Sequence, residues 1–354
     1  MARATFHPLR VARVDRLCED AVAITFDVPA DLATEFTFRA GQYLTLRQDV
    51  EGVEQRRSYS ICAPVGAPPR IGVRRVDGGL FSAALVDSLK PGDTLEVLPP
   101  QGKFTPEATT HAHHCLIAAG SGITPVLSIA ATILQSDMDS KITLLYANRR
   151  TDTVMFAEDL ADLKDTHRAR LQLVHILSRE PRDVDLFSGR LDRSRLTALL
   201  DTIVPTTDID HWWLCGPFDL VQDAQDLLTT RGVPAGHIHR ELFYVDEPPP
   251  PPKRLDESEV DGPTAEVTVV LDGKQTTLTL PTTTPILDAA QRIRSDLPFA
   301  CKGGVCGTCR AKVTSGNVTM RRNYALEPHE LAEGFVLTCQ ALPTTDHVTV
   351  DYDS

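Results

Sequence analysis

Four cysteines late in the chain, Cys301, Cys306, Cys309 and Cys339, follow the spacing C-x4-C-x2-C with a distant fourth member. Four thiolates so spaced are the ligand set of a plant-type [2Fe–2S] cluster. Gly303, Gly304 and Gly307 lie between them. Glycine lets a loop turn its backbone N–H groups toward sulfur, and such bonds help set a reduction potential. Structural zinc on four thiolates calls for two short C-x2–4-C pairs, of which only one half is present. The other four cysteines are scattered. Cys18, Cys62 and Cys115 read as small buried hydrophobes. Cys215 stands in Leu214-Cys215-Gly216-Pro217 at a strand end, where a parallel sheet binds its ligands.

A second group of residues suits a flavin. In Arg57-Ser58-Tyr59-Ser60 an Arg can neutralise a pyrophosphate, an aromatic can stack on an isoalloxazine, and a hydroxyl can hydrogen-bond the ring. Alone, the tetrapeptide reads better as an exposed ion pair and a strand aromatic. Gly78-Gly79-Leu80-Phe81-Ser82 adds a glycine turn opening a helix, whose free N–H groups can hold phosphate. A third group, Gly120-Ser121-Gly122-Ile123-Thr124-Pro125, follows a strand and precedes a helix. That is the context of a dinucleotide turn without the third glycine of the Rossmann fingerprint.

These groups need three kinds of scaffold. Residues 1–107 alternate apolar and polar residues in short runs split by turns such as Lys90-Pro91-Gly92-Asp93, which predicts an antiparallel β-barrel. Residues 108–246 alternate buried strands (114–119, 142–146, 212–215) with helices, which predicts an α/β domain on a parallel sheet. Five consecutive prolines, Pro248 to Pro252, open a polar linker over 247–262, semi-rigid where polyproline II forms. Beyond it, 266–271 and 275–280 flank Asp272-Gly273 as a hairpin, and a short helix is expected over 286–293 before the cysteine loop.

With 354 residues, a multidomain chain is expected. The net charge of −12 argues against nucleic-acid binding. From Ala108 to Ser136 no Lys, Arg, Asp or Glu occurs, but Gly120, Gly122 and Pro125 make a strand, turn and buried helix a better reading than a membrane span. With no secretory signal in view, the clustered cysteines point to a metal site in a reducing compartment, the cytoplasm. Residues 263–354 carry ten acidic and eight basic residues, so most of the negative charge lies elsewhere.

R-x-Y-S, G-S-G-I-T-P and C-G-P, in this order and followed by the cysteine loop, resemble the ferredoxin–NADP reductase superfamily fused to a plant-type ferredoxin. The resemblance extends from Phe6-His7-Pro8-Leu9 to Asn323-Tyr324-Ala325-Leu326-Glu327-Pro328. It implies FAD, a [2Fe–2S] cluster on a β-grasp ferredoxin domain, and a nicotinamide coenzyme. It puts Arg57 and Ser82 (with Gly79) on the flavin pyrophosphate and Tyr59 and Ser60 against the isoalloxazine. Gly120 and Thr124 would border the nicotinamide pocket, with Cys215 and Gly216 facing it. Ser178, Arg179 and Arg149 would meet a 2′-phosphate, which favours NADPH over NADH. A hydride carries two electrons and a cluster takes one at a time; a flavin does both. The implied acceptor is an external multicomponent oxygenase, a di-iron phenylacetyl-CoA epoxidase of phenylacetate catabolism first among them. Steroid and ring-hydroxylating oxygenases are the alternative, and a redox-sensing binding module is the non-enzymatic one. This chain has no pair of Glu-x-x-His motifs of the di-iron bundle type, so the substrate is oxidised elsewhere.

Overall fold

A computed structural model describes residues 5–50, 53–107, 111–243, 262–294 and 296–354. The chain divides into two compact units, 1–243 and 244–354. The linker residues 247–261 lie outside the described residues.

The first unit opens with strands β1 (His7–Cys18), β2 (Ala21–Asp27), β3 (Tyr43–Val50), β4 (Val53–Ser60), β5 (Arg70–Arg74) and β6 (Thr94–Val97), with helix α1 (Leu80–Asp87) between the last two. All pairings are antiparallel, in the order β4-β3-β6-β1-β2-β5. Just past β4, Ile61 bridges Ile71 of β5, so the two outer strands meet and the sheet closes. In β1, buried Leu9 and Val11 alternate with exposed Arg10 and Ala12, the period of a half-buried strand. Leu9, Val11, Ile24, Leu44, Leu46, Ile71, Val73 and Val97 fill the interior.

The same unit continues with β7 (His113–Ala119), α2 (Ile123–Ser136), β8 (Lys141–Asn148), α3 (Ala157–Thr166), β9 (Leu171–Leu177), α4 (Arg193–Thr202), β10 (His211–Gly216), α5 (Phe218–Thr230) and β11 (Ile238–Leu242). These strands form a parallel sheet ordered β11-β10-β7-β8-β9. The chain leaves β7 in one direction and returns on its other side as β10. The crevice at that switch lies between the carboxyl ends of β7 and β10. The charge-free stretch resolves into β7, the glycine turn and α2, and no helix among the described residues is long and apolar enough to cross a membrane.

The second unit contains β12 (Thr264–Leu271), β13 (Lys274–Pro281), α6 (Ile286–Ala290), β14 (Arg310–Ser315), β15 (Val318–Met320), α7 (Pro328–Ala332), β16 (Phe335–Leu337), β17 (Ala341–Pro343) and β18 (His347–Asp351). Five strands run in the order β13-β12-β18-β14-β16, and β15 pairs with β17. Asp272 and Gly273 both take positive φ, 54° and 68°, as a two-residue hairpin turn needs. The helix expected to reach Ile293 stops at Ala290; a turn with backbone bonds back to Leu287, Ala289 and Ala290 carries the chain onward.

Candidate functional site

β4 carries Arg57, Tyr59 and Ser60 at its end. The Tyr59 ring stands 6.3 Å from that of Phe81 in α1. Arg57 is half-buried and its Nη1 donates to the Arg56 carbonyl at 2.7 Å. Gly79 caps α1, and the Ser82 hydroxyl accepts from the Val76 N–H (3.0 Å) and donates to the Gly79 carbonyl (3.2 Å). Ser82 therefore fixes the turn that aims the first N–H groups of α1.

The glycine turn between β7 and α2 is held at both ends. Gly120 has φ of +55°, and its carbonyl accepts a bond from the Tyr146 hydroxyl at 3.0 Å. Thr124 is buried and its Oγ1 donates to the Ser121 carbonyl at 3.0 Å. A Cβ on Gly122 would lie 2.2 Å from the Cys215 carbonyl oxygen, so only glycine lets this turn close onto β10. Gly120, Thr124, Cys215 and Gly216 thus gather at one switch-point crevice.

Sequence reasoning missed Glu241. It stands next to last in β11, opposite Cys215 in the strand register, and its Oε2 accepts a bond from the Ser60 hydroxyl at 2.9 Å. Burial pushes its carboxyl up to about 7, against the Ser60 hydrogen bond, which lowers it. Burial, and then Glu241, push the Cys215 thiol well above its ordinary value. One hydroxyl from the barrel, one thiol and one protonatable carboxyl from the parallel sheet therefore meet. No motif announces Glu241; the signal is its place as the acid next to last in the strand beside the C-G-P strand.

At the far side of the sheet, β8 and β9 end together. The Ser178 N–H donates to the Asn148 carbonyl (2.9 Å) and the Arg179 N–H to the Arg149 carbonyl (2.8 Å). Arg149, Ser178 and Arg179 are all exposed, and no hydrogen bond or ion pair to another described residue engages either guanidinium. Glu180 does not compete for them: its carboxylate accepts the Thr151 N–H and hydroxyl, both at 2.7 Å. The neighbouring Asn148 side chain is buried at the end of β8.

In the second unit the four cysteines come together in two pairs. Cys301 and Cys306 share a hydrogen bond, and so do Cys309 and Cys339. A hydrogen bond from Cys306 pulls the Cys301 thiol down to about 6; burial opposes this, and the N–H groups of Val305, Gly303 and Cys306 add to it. Lys302, Gly304 and Gly307 all take positive φ, which turns the loop's N–H groups inward. The Gly303 N–H reaches the Cys301 sulfur at 3.3 Å, and Gln340 donates to the Lys302 carbonyl (2.8 Å) and to the Cys339 sulfur (3.7 Å). Four thiols in two close pairs, with backbone and side-chain donors to sulfur, would suit a [2Fe–2S] cluster. Of the remaining cysteines, Cys62 and Cys115 are buried as expected, whereas Cys18 is half-buried and bonds Asp20 and Arg74.

Residues 8–105 match an oxidoreductase FAD-binding domain, 116–226 an oxidoreductase NAD-binding domain, and 269–344 a 2Fe-2S iron-sulfur cluster binding domain. Over 354 residues the chain is 45% identical to one of the subunits of 1,2-phenylacetyl-CoA epoxidase from Escherichia coli K12, covering 99% of this chain and 98% of that one. The chain belongs to this family of oxygenase reductases. It is therefore an oxidoreductase that takes FAD, a pyridine nucleotide and a [2Fe–2S] cluster. A second relative is the ferredoxin reductase component of 3-ketosteroid-9-alpha-monooxygenase from Rhodococcus rhodochrous, 34% identical over 97% of this chain and 96% of that one. In fold, the reductase matches phthalate dioxygenase reductase, described as a modular structure for electron transfer from pyridine nucleotides to [2Fe-2S]. There the TM-score is 0.62 at 23% identity, over 98% of both chains.

Proposed function

We propose that the chain is the NADPH-dependent reductase of a di-iron phenylacetyl-CoA epoxidase and works in the cytoplasm. The carrying observation is the 45% identity to the Escherichia coli epoxidase component over 99% of this chain and 98% of that one. When bound, FAD takes a hydride as an electron pair and gives electrons singly to the cluster. Arg57 meets the flavin pyrophosphate, aided by the α1 N-terminus that Gly79 and Ser82 set. Tyr59 and Ser60 face the isoalloxazine. The Gly120–Thr124 turn and the Cys215–Gly216 strand end exclude water from the nicotinamide, and Glu241, whose raised carboxyl can take up or release a proton near neutral pH, accepts the Ser60 hydrogen bond beside them. Arg149, Ser178 and Arg179 are three exposed polar side chains on adjacent strand ends, suited to a 2′-phosphate. Cys301, Cys306, Cys309 and Cys339 hold the cluster, and all eight thiols being free suits a reducing compartment.

The test is reconstitution. Supplied with NADPH and purified epoxidase oxygenase components, the protein should drive O2-dependent epoxidation of phenylacetyl-CoA. Strong coupling to a 3-ketosteroid hydroxylase oxygenase and none to the epoxidase would overturn the assignment.

A further inference from the structure

β5 is buried on both faces. Ile71 and Val73 point into the barrel core. Gly72, between them, points the other way, toward the nucleotide half. It pairs with Ala23 of β2, and Ala21 and Ala23 belong to the same apolar cluster as Ile123, Val154, Met155 and Phe156. Small residues thus form a seat on the barrel wall, and the nucleotide half packs into it.

Contact in that seat is close. A Cβ on Gly72 would lie 2.6 Å from Thr124 Cγ2 and 2.8 and 2.9 Å from two ring atoms of Phe156. Neither neighbour can yield freely. Thr124 is 1% exposed and bonded to the Ser121 carbonyl. Phe156 is also 1% exposed, has φ of 58° at the start of α3, and lies under the Arg70 guanidinium, 5.3 Å from the ring centroid. On either side of Gly72, Arg70 pairs with Asp159 and Arg74 donates to the Thr153 carbonyl, so the same strand clamps the nucleotide half at two further points. A continuous run of contacts leads from the barrel strand through Thr124 to the Gly120–Gly122 turn and on to Cys215.

From these contacts we infer that Gly72 is a positioning residue for hydride transfer. Its missing side chain lets Thr124, and with it the glycine turn, stand at the depth that brings nicotinamide and flavin together. Hydride transfer is steeply sensitive to such depth, since misplacement of about 1 Å can cost about a hundredfold in rate. The inference rests on the FAD and nicotinamide reading above.

The test is a double-mutant cycle of Gly72→Ala and Thr124→Ser in the FAD-loaded protein, the latter removing the Cγ2 methyl and keeping the hydroxyl. Rapid mixing with saturating NADPH gives the limiting rate of flavin reduction; NADP+ titration gives affinity. With Thr124 present, G72A should slow flavin reduction about tenfold or more, with FAD content unchanged and NADP+ affinity within about threefold. In the Thr124→Ser background, the same change should cost at least about threefold less than in the parent, the remaining loss coming from the Phe156 ring. Equal losses in both backgrounds, no loss, or a loss matched by NADP+ affinity would overturn the inference. Should G72A not accumulate with FAD bound, the cycle is run with Phe156→Leu, which lacks the ring atoms nearest the new Cβ. If the unsubstituted protein's flavin is not reduced by NADPH, the cofactor reading itself fails, a separate outcome.

Discussion

Arg179 and Glu241 make the sharpest claims at the scale of single residues. Arg179→Ala should weaken NADPH binding while barely changing NADH, because only NADPH carries the 2′-phosphate. A charge-assisted contact of this kind is worth ~1.5–3 kcal/mol, or roughly ten- to a hundredfold in affinity. Equal losses for both coenzymes, measured by steady-state kinetics, would make Arg179 structural. For Glu241 the sign follows from its raised carboxyl. Protonation favours the folded state, so this stabilisation is present below the ordinary carboxylate value and is lost as pH rises through about 7. Glu241→Gln keeps a partner for Ser60 and removes that loss, so the variant should melt higher than the parent at pH 8 but not at pH 5. A parallel shift at both pH values in thermal unfolding would contradict the buried-carboxyl account.

Single elements explain what the sequence revealed and what it hid. The hairpin of β12 and β13 was legible because alternation and an Asp-Gly turn act locally. β7 and the glycine turn were legible because a buried parallel strand shows as an apolar run. β5 was not singled out: its five residues, Arg-Ile-Gly-Val-Arg, carry no period longer than one alternation, and Gly72 acquires meaning only through Thr124 and Phe156. β11 hid for a similar reason. Its Ile-His-Arg-Glu-Leu is polar, and its neighbour β10 decides its role. β11 also joins an imidazole column at the amino-terminal ends of β7, β10 and β11. His211 stacks on His114 (5.3 Å) and His237 (5.1 Å), and His239 stacks on Trp213 (4.0 Å). The Trp213 indole donates to His114 Nδ1 at 3.3 Å, which requires that nitrogen to be unprotonated. Burial, reinforced by the neighbouring imidazoles, pulls His114 and His239 down to about 4, with Asp210 partly offsetting the effect at His114. His211 is lowered by burial and His237, with Asp210 and Glu107 opposing. Groups depressed in this way bind protons more readily when unfolded, so stability is full above the ordinary imidazole value of 6.5 and falls as pH drops toward 4. His239→Phe keeps the stack, removes one such group and should move acid unfolding to lower pH. The chain's two tryptophans, Trp212 and Trp213, adjoin the column and report it by fluorescence. An unchanged acid midpoint would show that the column does not control acid stability.

For the whole molecule, the order of parts was legible because each carries its own chemistry: R-x-Y-S on a barrel strand, G-S-G at a switch point, cysteines on a loop of a separate unit. Contacts between distant segments were not legible, since Ser60 and Glu241 lie 181 positions apart. The proposed function requires an electron path from NADPH through FAD to the [2Fe–2S] cluster. Anaerobic rapid mixing with NADPH, followed by absorbance and by EPR of frozen samples, tests it most directly when the parent is compared with Cys306→Ser. In the parent, flavin bleaching should precede the appearance of a reduced-cluster EPR signal. In the variant, the flavin should still bind, still bleach and still pass electrons to ferricyanide, with no cluster signal at any time. A cluster signal that forms in the parent before any flavin is reduced, or flavin lost from the variant, would contradict that path.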